Sequence, residues 1–167
     1  MIRNKITIGN DLLGLVTKVK ADAARAVAIK IKAEFNTLLM NTPQYSGNYA
    51  ANMRIDVGQR AMHLTPEYPY KKYPKALKAK GIMPPIARAR KNNNLDTFEE
   101  RFVTHALGLP VFGPEIQVYN PLRRSKYIED MPEDRMRSVN KPEGIAVMAK
   151  FKARVDKIKV VVSVKVT

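Results

Sequence analysis

The chain has no cysteine and no tryptophan. The first absence excludes disulfides and thiolate metal sites and gives no sign of an oxidising compartment. The second leaves few large aromatic anchors for a core. Only two histidines are present, His63 and His105, and neither has a carboxylate at ligand-like spacing, so no structural zinc site is expected. No apolar run reaches the roughly 18 residues that a membrane-crossing helix needs. The opening Met-Ile-Arg-Asn-Lys is not followed by an unbroken apolar stretch with a small-residue cleavage site. No signal peptide and no membrane partner are therefore expected, and the protein should be made and used in the cytosol or in a particle assembled there.

Catalytic signatures are missing too. There is no glycine-rich phosphate loop, nucleophile elbow or zinc-binding helix motif. Ser46-Gly47 lies near Asp56, but a triad needs a histidine brought to the serine and an oxyanion hole, and nothing local supplies either. Glu99 and Glu100 are adjacent, so on a helix they splay apart and read as a first-turn pair favoured by the helix dipole. The expectation is a protein that is not an enzyme and carries no metal or cofactor.

Acid is the other scarcity: 15 Asp+Glu stand against 30 Lys+Arg, a formal net charge of +15 over 167 residues. Such a balance suits nucleic acid, an anionic surface or acidic protein partners, and does not choose among them. The length fits one domain. There is no internal repeat and no low-complexity tract.

The order of elements is readable from residue patterns. Lys5-Ile-Thr-Ile8 reads as a short strand or an arm. Gly9-Asn10-Asp11 offers a helix N-cap. From there Leu12, Val16, Val19, Ala23, Val27, Ile31, Phe35 and Leu38 recur at steps of three and four, one apolar helical face. About 28 residues of helix would be ~42 Å long, which is long for this chain. The stripe either packs partly on the sheet and partly on another subunit, or curves over its own sheet. Pro43 should stop the helix at Thr42. Gly47-Asn48 reads as a turn. Ala51, Met53, Ile55 and Val57 then alternate with Asn52, Arg54 and Asp56, the period of a strand over residues 50–57 with one buried face.

Residues 59–113 are crowded with proline: Pro66, Pro69, Pro74, Pro84, Pro85 and Pro110, with Pro114 at the edge. Within 60–91, nine basic residues are opposed by Glu67 alone, a local charge of +8. Lys71, Lys72, Lys75, Lys78, Lys80, Arg88, Arg90 and Lys91 are the candidate contacts, with Tyr68, Tyr70 and Tyr73 interleaved. Three readings stand together: nucleic-acid contact by phosphates and stacking, a solvated insertion anchored by its tyrosines, or an arm reaching an acidic neighbour. The expectation is an arm that orders only on assembly. A short helix capped at Asp96, with Phe98, Phe102, Val103 and Leu107 on its apolar side, is placed inside it, ended by Gly108 and Pro110. Residues 115–120 alternate as a second strand, stopped at Asn120-Pro121. Residues 122–142 read as a surface loop. A second helix starts near Pro142, with Ile145, Met148, Ala149, Phe151, Lys152 and Val155 on its apolar side. Ile158, Val160, Val162, Val164 and Val166 close the chain on one face of a β-branched strand, which must pair in its own sheet or a neighbour's.

One combination is more specific. A helix, then Thr42-Pro43, then Ser46-Gly47-Asn48, then a strand with an early Arg54 resembles the small neck and tail-completion proteins of tailed bacteriophages. Asn120 to Glu129, with Tyr127 inside it, is a looser copy of a second family segment. Ile128 stands where a small residue is usual, and the glycine after the glutamate is missing. The likeness covers residues 10–58 and 114–130, under half the chain.

The resemblance implies a structural virion protein that forms a homo-oligomeric ring, sixfold or twelvefold, at the head–tail junction. Its partners would be the portal or adaptor and the tail-terminator or tail-tube proteins, with non-specific contact to the DNA in the channel. Arg54, Tyr127, Glu129, Val160, Val162 and Val164 are the candidate subunit-interface residues, although Arg54 reads equally as a solvated side chain. The alternative is a non-sequence-specific nucleic-acid-binding domain using the basic insertion. The fold class expected is α+β: a long N-terminal helix packed on a small, mainly antiparallel sheet, with a Pro-rich basic insertion and a second helix, all in a single domain with its arm at 59–113.

Overall fold

The structure is a computed structural model, and it describes residues 10–42, 48–58, 84–110, 115–122 and 147–158. Helix α1, Asn10–Asn41, runs 32 residues, about 48 Å. It ends one residue before the expected stop. Thr42 is buried there and its Oγ1 donates to Leu38 O at 2.7 Å, so the hydroxyl satisfies one of the carbonyls that the end of a helix leaves open.

The buried stripe of α1 is Ala24, Ala28, Ile31, Phe35, Leu38 and Leu39. It keeps the expected period, with Ala24 and Ala28 buried in place of the half-buried Ala23 and Val27, and occupies little more than the C-terminal half of the helix. Small residues at 24 and 28 let other elements approach closely, and the larger ones below them fill the core. Leu12 and Val16, expected on the same stripe, are exposed.

A four-residue helix α2, Asn48–Ala51, stands where the strand was expected to begin. Asn52 N–H donates to Asn48 O, and Met53 N–H to Ala50 O. The strand proper, β1, is only Arg54–Val57. The expectation of one wet face also fails here: Ala51, Asn52, Met53, Arg54 and Ile55 are all buried. The period-two pattern is present in the sequence, but neighbours enclose both sides of this stretch.

β1 pairs antiparallel with β2, Ile116–Tyr119, in the register Arg54↔Tyr119 to Val57↔Ile116. Between them in sequence come α3, Pro85–Asn92, a 3₁₀ turn at Leu95–Thr97, and α4, Phe98–Gly108. Pro85 sits in the first turn of α3, where a missing N–H costs nothing. Helix α5, Val147–Val155, comes last.

The helix at 98–108 lies in the centre of the fold. α4 packs along α1 and buries Phe98, Phe102, Val103 and Ala106 in the same cluster as Phe35, Leu38 and Ile55. Ala89 and Leu95 join that cluster. The expected arm at 59–113 is therefore drawn too wide, since residues 84–110 are core elements. An amphipathic helix of this length has to bury its apolar stripe, and the proline-rich flanks concealed that in the sequence. Leu107, expected on the buried side, is 37% exposed. α5 lies against α1, with Phe151 edge-on to Phe35 at 6.3 Å between ring centroids. Lys32 to Glu99 (3.0 Å) and Arg154 to Glu34 tie α1 to α4 and α5.

Thus a long helix packs with a small two-stranded antiparallel sheet and further helices around one core. The tyrosine and lysine segment at 68–80, Tyr127, Glu129 and the valines at 160–166 lie outside the described residues.

Candidate functional site

Three places in the fold bear on function. The first is the node where α3 ends on β1. Asn93 is 5% exposed. Its Oδ1 accepts from Ile55 N–H at 2.8 Å, while its Nδ2 donates to Met53 O at 2.9 Å and to Ala89 O at 2.6 Å. One side-chain amide thus occupies the outer edge of β1 as a neighbouring strand would. The next residue, Asn94, adopts φ 46, a left-handed conformation that asparagine tolerates better than most residues. Arg101 donates to Asn93 O at 2.7 Å and lies over the Phe98 ring.

Arg54, expected on a polar strand face, is 1% exposed. Its Nη1 donates to Ala51 O at 3.3 Å and Met53 O at 3.1 Å. Burial pushes the guanidinium below its ordinary value; Tyr119 and Asp56 oppose that shift and Arg88 adds to it. The Tyr119 hydroxyl donates to Asp56 Oδ2 at 2.8 Å. Arg54 is therefore engaged within its own chain, and the readings of a solvated side chain or of one reaching across a subunit boundary do not match this placement. Asn52, equally buried, leaves its Oδ1 without a hydrogen-bond partner.

The second place is the basic end of α3. Of the eight candidate contact cations, Arg88, Arg90 and Lys91 lie on described residues. Arg88 is half-buried and close enough to Arg54 to repel it. Arg90 is exposed, with its Nε donating to Asn36 Oδ1 of α1 at 2.8 Å. Lys91 is exposed beside it. The structure brings these three together on one helix, but only two face solvent.

The third place is the beginning of α1. Leu13 is 70% exposed and Val16 56%, and Leu12 and Leu15 are also exposed. Four large apolar side chains within five residues lie beyond the part of the helix that the core covers. The sequence stripe contained Leu12 and Val16 but missed Leu13 and Leu15, which fall off a single face. The length of the helix was the signal that its start would extend past its own core.

Among the described residues, no group of three or more His, Cys, Asp or Glu side chains is placed to hold a metal ion, and no helix is long and apolar enough to cross a membrane. Comparison with family models, with curated proteins and with solved structures gave no match.

Proposed function

We propose that this chain is a structural subunit of a tailed-phage particle, one that assembles as a ring at the head–tail junction, joins the connector to the tail and surrounds the DNA path. The observation that carries this reading is the exposed apolar start of α1. Leu12, Leu13, Leu15 and Val16 form a surface larger than scattered single exposures, and such surfaces mark contacts with other proteins. Burial of one leucine or valine side chain is worth roughly 1.5–3 kcal/mol. A helix end of this kind fits a neighbouring copy in a ring. The resemblance over residues 10–58 and 114–130 supplies the particle, and the charge of +15 favours a DNA path lined by many weak phosphate contacts.

The test is a double variant, Leu13→Glu with Val16→Glu, compared with the parent chain by light scattering over a range of concentrations. The expected result is a folded chain whose dissociation constant for self-association rises on the order of a hundredfold, from about 3 kcal/mol of lost burial. An unchanged mass distribution overturns the reading.

The second reading is a non-sequence-specific nucleic-acid-binding domain. It is favoured by Arg90 and Lys91, exposed on the helix that follows the basic segment. A discrete subunit that binds duplex DNA with a steep salt slope, about 0.9 per phosphate neutralised, is the result that selects it.

A further inference from the structure

The edge of β2 away from β1 borders a groove of about 610 Å³, and Ile116, Gln117, Val118 and Tyr119 line one side of it. Four consecutive strand residues point alternately to both faces of a sheet. A groove touched by all four therefore runs along the strand's edge. The far wall is α5, through Met148, Phe151, Lys152 and Val155.

The ladder identifies which backbone groups face this groove. Gly58 N–H donates to Glu115 O at 2.8 Å, and the register places Asp56 opposite Gln117 and Arg54 opposite Tyr119. In an antiparallel pair, bonded and non-bonded positions alternate. Ile116 and Val118 accordingly turn their N–H and C=O groups away from β1. Ile55, opposite Val118, shows the matching arrangement on the other strand: its N–H points away from β2 and is taken by Asn93. The outer edge of β1 is thus closed by a side chain, whereas no described residue closes the outer edge of β2.

We propose that this groove is a strand-docking site and that its occupant is the chain's own C-terminal segment, Ile158 to Val166, added as a third strand along β2. Three observations choose that occupant. The chain leaves α5 at the groove itself, since Val155 and Asp156 line it. A single tight turn follows, with Ile158 N–H donating to Val155 O at 2.9 Å, and Ile158 packs against the core. Its side chain sets the phase of the proposed strand, in which Val160, Val162 and Val164 share its parity and Lys159, Val161, Ser163 and Lys165 take the other. The dimensions agree as well. The five residues 160–164, extended, span ~17 Å, against ~13 Å for the four residues of β2 and ~14 Å for the nine residues of α5. The proposal does not rest on the ring reading, because the contact forms within one chain, and it takes Val160, Val162 and Val164 out of the candidate subunit interface.

A chain without cysteine permits a direct test. Val118→Cys is combined in turn with Val160→Cys, Val162→Cys and Val164→Cys, and Gln117→Cys with Val161→Cys and Ser163→Cys on the other face. The full-length proteins are oxidised at low concentration. A disulfide within the monomer for one register on each face supports the proposal. Disulfides only between chains, or none in any pairing, overturn it.

Amide hydrogen exchange on the unmodified chain provides a second measurement. Ile116 and Val118 are expected to be protected, and to lose at least about tenfold of that protection when the chain is ended after Ile158, while the Ile55 amide stays protected and shows the fold intact. Fast exchange at Ile116 and Val118 in the full chain also overturns the proposal.

Discussion

Asn93→Ala is the substitution that tests the account of the α3–β1 node most sharply. The amide of Asn93 bonds Ile55 N–H within β1 and Met53 O just before it, in a region where both residues are buried. Alanine fits the space and removes both bonds at once; Met53 O keeps Arg54 Nη1 and Ala89 O keeps the backbone N–H of residue 93, so Ile55 N–H is the group left unpaired. A buried polar group left unpaired costs roughly 1–3 kcal/mol, so the loss should be about 1–3 kcal/mol. Domain stabilities run to roughly 5–15 kcal/mol, so the variant should still fold. With a urea slope of roughly 1–3 kcal/mol per molar, the midpoint should fall by about 1 M. The control is Asn92→Ala, one residue earlier and exposed, which should change stability by no more than about 0.5 kcal/mol. Asn93→Asp adds a check of sign. A carboxylate can accept from Ile55 N–H but has no proton for Met53 O or Ala89 O. Burial and those carbonyls raise its folded-state pKa above the unfolded value. The stability of this variant should therefore be greatest in acid and be lost as pH rises through the folded-state value. A loss at Asn93→Ala no larger than at Asn92→Ala would refute the idea that this amide substitutes for a strand.

Other substitutions probe the remaining contacts. Gly58 has φ +78, and a Cβ there would lie 2.8 Å from His105 Cε1; Gly58→Ala should cost about 1–3 kcal/mol, with part recovered by adding His105→Ala, read by thermal unfolding. Phe35→Ala removes a fully buried ring packed on Phe151 and should cost about 3–5 kcal/mol in urea unfolding. Glu99→Gln breaks the ion pair with Lys32, whose side chains are both partly solvated, and should cost less than about 1 kcal/mol.

How far the sequence could be read depended on whether a residue's environment is local. The stop of α1 before Pro43 and the second strand are local consequences of proline geometry and period-two alternation, and they stand at Asn41 and at Ile116–Tyr119. Phe98, Phe102 and Val103 were legible as a helical face. What that face packs on was not, because prolines on both sides made the segment look like part of an insertion. Arg54 read as a surface residue because alternation assigns it to a polar face, whereas α2 and the end of α3 enclose that face. Asn93 sat inside a run of three asparagines that carries every mark of a loop, and nothing local distinguishes the one whose amide reaches a strand forty residues earlier. The apolar start of α1 was half-legible: the length of the helix warned that its own core could not cover it.

The proposed ring subunit completes the exposed start of α1 with further copies of itself. The most direct test is the mass of the full-length protein in solution, by native mass spectrometry and light scattering, as concentration rises. Association into a closed assembly with a fixed number of copies is expected. A subunit that stays monomeric at every concentration, with Leu13 and Val16 still open to solvent labelling, would contradict it.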